Sequence, residues 1–217
     1  MATSTTFRLD MWRMHLMHDA LRRELERLAR VTARADGDPR HIMRTAVGWE
    51  LFKSFLGIHH SAEDMALWPV MRKALAGRPD DLALLDAMEA EHAAIDPMLG
   101  AIDATLADRN SAPDVLGGLT DALAAVLRGH LKHEEDEALA VIDATLSPAQ
   151  WQFLVDEHSR LGAADMPRMT AWVLDGASPE HAATMLGSVP EPVRQAYYSE
   201  WQPAYAAVDL WAPRSDA

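Results

Sequence analysis

The chain has 217 residues, 49% hydrophobic and 24% charged, with a net charge of −13, which is the balance of a globular protein able to bury a sizeable core. The acidic excess argues against a nucleic-acid or anionic-membrane surface, because a phosphate field repels it. There is no cysteine, which excludes disulfides, thiolate metal sites and a cysteine nucleophile, so a metal site here must draw on the ten histidines, on carboxylates or on solvent.

The first eight residues, Met1 to Arg8, lack the basic-then-apolar pattern of a secretory leader, and no run of about 18 apolar residues occurs. A cytoplasmic protein without membrane or nucleic-acid partners is expected, as a monomer or homodimer. Strand signals are poor, and the apolar spacing alternates between three and four, so the expected class is all-α.

The first helix is expected over about residues 9–34, with Met11, Met14, His18, Leu21, Leu25 and Leu28 on one stripe. Asp36-Gly37-Asp38-Pro39 closes it. The second is expected over about 40–76, with Trp49, Phe52, Leu56, His59, Glu63, Ala66 and Val70 inward and a kink or early end at Pro69. Gly77-Arg78-Pro79-Asp80 makes the next turn. The third is expected over about 81–108, bent at Pro97, with Leu82, Leu85, Glu89, His92, Ile95, Leu99, Ile102 and Leu106 inward. After Asn110-Ser111-Ala112-Pro113 the fourth is expected over about 114–145, with Leu116, Leu119, Leu123, Val126, His130, Glu134, Glu137 and Val141 inward. Short connections between long helices imply an up-down-up-down four-helix bundle over residues 1–146. Prolines crowd the remainder, 147–217, which reads as a C-terminal helical extension packed on the bundle, with helix starts at Ser147-Pro148 and Ser178-Pro179. Short supporting helices are its simplest reading; its functional reading is a cap that narrows access to the bundle interior.

Each apolar stripe carries a histidine where a bundle would place leucine: His18, His59, His92 and His130. Helices two and four add a carboxylate four residues on, Glu63 and Glu134, which puts each pair on one helix face about 6 Å apart. Residue counts from each turn place all six within one helical turn of a common level. Buried carboxylates need a cation, a hydrogen-bond network or a proton. A lone histidine on such a stripe is commonly a hydrogen-bonded core residue; four at one level with two carboxylates favour a metal. Zinc prefers four tetrahedral ligands, so iron or manganese suits the set better.

His18-Asp19-Ala20-Leu21-Arg22-Arg23-Glu24-Leu25, His59-His60-Ser61-Ala62-Glu63-Asp64 with Leu67-Trp68-Pro69, Glu91-His92, and His130-Leu131-Lys132-His133-Glu134-Glu135 resemble, in order, the four helix motifs of hemerythrin-like (HHE cation-binding) proteins. The resemblance spans roughly residues 10–146. It implies two iron ions in a non-haem, oxo- or hydroxo-bridged centre, with His18, His59, His92 and His130 as terminal ligands and Glu63 and Glu134 as bridges. It further implies binding of a small diatomic or peroxide ligand (hydrogen peroxide, O2 or NO), with catalase-like peroxide decomposition as the enzymatic version. The oxygen-carrying members have a second histidine on the third helix, whereas Met88 and Asp96 flank His92 here at that spacing. That departure speaks against simple reversible oxygen carriage.

Two other functions fit the pattern less well. One is a non-enzymatic oxygen or iron sensor signalling to a partner. The other is a ferritin-like iron oxidase or store, which needs two Glu-x-x-His motifs; only Glu89-Ala90-Glu91-His92 is present on the bundle helices. His60 and His133 are expected as supporting groups or surface residues, with an alternative-ligand role open to each, and His15 as a pocket-lining or supporting group; His133 with Glu137 is an alternative pair on helix four. His41, His158 and His181 are expected outside it. In the run 134–137, Glu134 should point inward while Glu135 and Asp136 point out. Met11, Met14 and Met17 read as core filling rather than a copper site.

Overall fold

The computed structural model describes residues 7–33, 38–108, 110 and 112–212; residues 1–6, the 34–37 part of the first expected turn and Ser111 of the third lie outside them. The described residues are helical, without a strand. Four rods carry the candidate site. The first is α1 (Trp12–Thr32). The second follows the short α2 (Pro39–Thr45) and runs through α3 (Val47–Ala62), a π-helical turn (Glu63–Leu67) and α4 (Trp68–Ala74). The third is α5 (Pro79–Ala107). The fourth is α6 (Pro113–His133), a π-helical turn (Glu134–Ala138) and α7 (Leu139–Thr145). α1 packs against α3 and α6, while α5 packs against α6 and α4.

The second rod differs from one long helix in two ways. Ala46 is extended between α2 and α3, so the rod's working part starts at Val47. Pro69 does not stop it. A proline inside an α-helix lacks its N–H and collides with the carbonyl four residues back. The π turn ends one residue before Trp68-Pro69, and the Trp68 N–H reaches back five residues to the Glu63 carbonyl, so the helix is already widened there. Pro97 likewise leaves α5 unbroken; it lies on the exposed face.

Each π turn inserts one residue and so rotates the helix beyond it. The buried positions after the turn are one later than a continuous helix predicts. Met71 is buried instead of Val70, Ala138 instead of Glu137, and Ile142 instead of Val141. Val126 is also exposed, with Leu127 taking the core position.

The C-terminal helices cover one side of these rods. They are α8 (Pro148–Leu161), α9 (Met166–Leu174), α10 (Pro179–Gly187), α11 (Glu191–Ala196) and, after a π turn, α12 (Gln202–Ala206). Ser147 opens α8 with a reciprocal capping box to Gln150, and Ser178 caps α10 through the His181 N–H. α8 lies on α3 and its π turn, and α9 lies on α1. The segment after α12 returns to the bundle. The Trp211 indole donates to buried Glu24 at 2.8 Å, and the Gly48 N–H donates to the Leu210 carbonyl at 2.7 Å. Arg23 donates to the Trp172 carbonyl at 2.6 Å, and Arg27 bridges Glu24 and Asp175, at 2.8 Å each. No described helix is long and apolar enough to cross a membrane.

Candidate metal centre

The inward stripes of the four rods converge on one buried layer. His18, His59, Glu63, His92, His130 and Glu134 are all almost fully inaccessible to solvent. His18 comes from α1, His59 from the last turn of α3, His92 from the middle of α5 and His130 from the last turn of α6. Glu63 and Glu134 each open a π turn. Such one-residue expansions recur at functional sites, because they re-aim side chains without ending the helix.

Within the layer, donor atoms fall into two groups among the described residues: His18, His59 and Glu134, and His60, His92 and His130, each within 4.8 Å of one another. The two groups repeat one distance. His18 Nε2 lies 3.2 Å from His59 Nε2, and His92 Nε2 lies 3.2 Å from His130 Nε2. Two imidazole nitrogens at right angles on one ion, each bonded at about 2.1 Å, sit about 3.0 Å apart, so both pairs are spaced for a shared cation. Glu63 lies between the groups: Oε1 is 3.4 Å from His59 Nδ1 and Oε2 is 3.4 Å from His92 Nε2. Glu134 Oε2 is 3.1 Å from His18 Nε2. The four carboxylate oxygens of Glu63 and Glu134 are buried and have no well-aligned hydrogen-bond partner. Orphaned buried carboxylates of this kind cost free energy unless a cation or proton meets them, so the donor set fits metal ions of the harder class.

Three of the histidines are held from behind by a carboxylate. His18 Nδ1 lies 2.8 Å from Glu135 Oε1, His92 Nδ1 2.8 Å from Asp64 Oδ1, and His130 Nδ1 2.9 Å from Glu91 Oε2. A proton on each Nδ1 leaves the Nε2 lone pair facing inward, the tautomer a metal needs. Glu135 is itself held by Arg22 at 2.7 Å, and Glu91 also holds His133 at 2.8 Å. His59 has no such support: its Nε2 faces His18 and its Nδ1 faces Glu63.

Titration follows from these contacts. Burial works against charge on His18, but Glu134 and Glu135 outweigh it and raise its pKa to about 9. Burial, with neighbouring imidazoles, pushes His59 well below its usual value and lowers His60 too. Burial also leaves His130 lowered, against the pull of Glu134. Burial and then Glu134 drive Glu63 well above the carboxylate range. On Glu134 burial acts upward, but His18 and the other imidazoles hold it below its ordinary value.

Several expectations change. His60, expected first as a supporting or surface residue and second as an alternative ligand, is buried within the second group, its ring stacked on His92 at 3.9 Å and edge-on to His130. Glu135 does not point out to solvent; it grips His18. His158, expected as a bystander, has its ring 6.3 Å from His59, and burial lowers its pKa to about 4. His15 lies 3.5 Å from Glu135, behind the layer. The alternative pair His133 and Glu137 faces outward, with Glu137 exposed. Glu89, the acid of the ferritin-type motif, pairs with Arg72 instead of entering the site. His41 and His181 join neither group.

The supporting carboxylates left a signal in the sequence. In the His59–Glu63 and His130–Glu134 pairs the glutamate is followed at once by a second acid, Asp64 or Glu135, whereas Ala138 follows the His133–Glu137 pair, and Glu91 directly precedes His92. Compared with known families, the chain matches the model of the hemerythrin HHE cation binding domain over residues 11–142. No curated protein and no solved structure matches it significantly.

Proposed function

Because the chain belongs to the hemerythrin HHE cation-binding domain family, we propose that it holds two iron ions in this layer and binds, and as an enzyme decomposes, a small oxidant such as hydrogen peroxide, O2 or NO. The observation that carries this reading is the pair of donor groups, one of them including Glu134, with the orphaned Glu63 carboxylate between them. We read the four rods as an up-down-up-down bundle whose centre is this site. His18 and His59 would hold one ion and His92 and His130 the other, with Glu63 and Glu134 as bridges. That set leaves about four positions of two octahedral ions to solvent and oxidant. Bound iron would supply the redox chemistry and the vacant coordination positions.

The chain's own part is positional and electrostatic. Asp64, Glu91 and Glu135 fix three imidazole rings and their tautomers. The low solvent access of the layer keeps water from competing with a small ligand. His18, protonated in the metal-free site, and Glu63, which burial and Glu134 push well above the carboxylate range, must each lose a proton for metal to enter.

Metal analysis of the purified, iron-reconstituted protein tests this. About two irons per chain, with oxygen evolution from peroxide, is the expected result. Absence of stoichiometric metal would overturn it. His59→Ala or Glu63→Ala should release iron and His181→Ala should retain it; full iron in Glu63→Ala would refute the bridge assignment.

A further inference from the structure

A cavity of about 240 Å³ lies between the bundle and the C-terminal helices and reaches the candidate centre on its His59 side. Its floor includes His59 and Glu63, both buried, with His158 beside them. Its exposed liners are Ser159, Met166 and Ser188, which mark the mouth. Between floor and mouth the wall is mostly apolar, with Arg13 and Thr170 as polar exceptions and with Trp12, Met14 and Met17 from α1 and Trp151, Leu154 and Met169 from α8 and α9.

Three features make this more than a path for peroxide. The first is size. An apolar cavity of about 150 Å³ takes up benzene and stays free of water, so 240 Å³ has room for about ten non-hydrogen atoms. The second is chemistry. Methionine sulfurs and tryptophan rings on its wall offer favourable contacts to an aromatic guest. The third is position. His59 is the one histidine of the four with no carboxylate hydrogen-bonded to its Nδ1, where Glu63 stands 3.4 Å off, and it is the one of the four that lines the cavity, so the site opens toward the apolar space. A mostly apolar pocket with a few converging polar groups at one end is the usual form of a small-molecule site.

We propose that this cavity binds a compact aromatic molecule of about ten non-hydrogen atoms, seated with one end at His59 and Glu63, and that the centre acts beside an organic substrate rather than on a small oxidant alone. The cavity's occupancy stands on its own geometry; the role of the inner end rests on the reading of that layer as a metal centre.

Indole, titrated calorimetrically into the metal-free and the iron-loaded protein, tests both parts. The expected result is one site per chain in each form, with a change in the visible absorption of the iron-loaded protein. Ser159→Trp, an exposed liner at the mouth, should weaken indole binding at least tenfold with unchanged iron content, and Thr170→Phe, a half-buried liner, should do the same. Absence of binding to both forms at millimolar indole overturns the proposal while leaving the metal reading intact. Binding unaffected by both variants, or without spectral change, overturns the placement against the centre. A protein that binds indole but takes up no iron supports the cavity and refutes the metal reading.

Discussion

Asp64, Glu91 and Glu135 do not touch the interior of the donor layer, yet each fixes the ring that does, through an Nδ1 contact of 2.8 or 2.9 Å. Loss of such a partner typically costs 10–100-fold in metal affinity. Glu135→Gln should therefore weaken iron binding by about that factor in a competitive chelator titration. Glu137→Gln, only two positions further on but exposed, should leave it unchanged. His18 sets a pH dependence. Its pKa is raised to about 9, so its protonated form stabilises the metal-free fold below its ordinary value near 6.5, and that contribution fades as pH rises through about 9. Iron must displace that proton. Calorimetry in buffers of differing ionisation enthalpy should show proton release from His18 on loading at pH 7, and loss of that release above about pH 10. Equal release at both pH values would show that His18 is not the group titrated.

At the scale of elements, periodicity was enough to place His18, His59, His92 and His130 on inward stripes, because leucine and histidine at three-four spacing share a face. It was not enough beyond the carboxylates. A stripe drawn at constant pitch exposes Met71, Ala138 and Ile142, and all three are buried because each π turn adds a residue. It also undervalued His60, which sits one residue, about 100°, round the helix from His59; a layer fed by four helices takes donors from more than one stripe. Deleting exposed Asp136 would return the second π turn to α-helical pitch and keep Ala138, Leu139 and Ile142 in the core, because each then takes the position a continuous helix buries. That deletion should cost less in denaturant unfolding than deletion of exposed Ala140 beyond the turn, which rotates Ile142 and Leu146 by about 100°, and Asp136→Ala should stay within about 0.5 kcal/mol.

On the scale of the whole molecule, the C-terminal helices share the bundle's core, where Trp172, Leu174 and Leu186 cluster with Leu21, Leu25 and Phe55, and specific polar contacts fix them there. Their proline-capped starts at Ser147 and Ser178 were legible from local chemistry. Their docking was not, because Glu24, Trp211 and Gly48 are distant in sequence and meet only through the tertiary fold. Gly48 allows the closest approach: a Cβ there would lie 2.6 Å from the Trp211 ring and 2.9 Å from the Leu210 carbonyl oxygen. Gly48→Ala should therefore cost about 1–3 kcal/mol and loosen the end of the chain. Faster limited proteolysis after α12 is the expected sign, and an unchanged digestion pattern would show that the ring moves aside freely.

The uneven support of the imidazole rings also governs time. The group containing His92 and His130 has both of those rings clamped, by Asp64 and Glu91, whereas the group containing His18 and His59 has only His18 clamped. An unclamped ring can swing off its ion at the cost of one bond, and a competing ligand can take its place before it returns. Two ions held as proposed would be unequal in lability: extraction by a strong chelator should proceed in two phases of equal amplitude, the faster from the His59 side. His59 would then be the gate for metal exchange, and a half-loaded protein, with its remaining ion between His92 and His130, would persist in the interval between the phases.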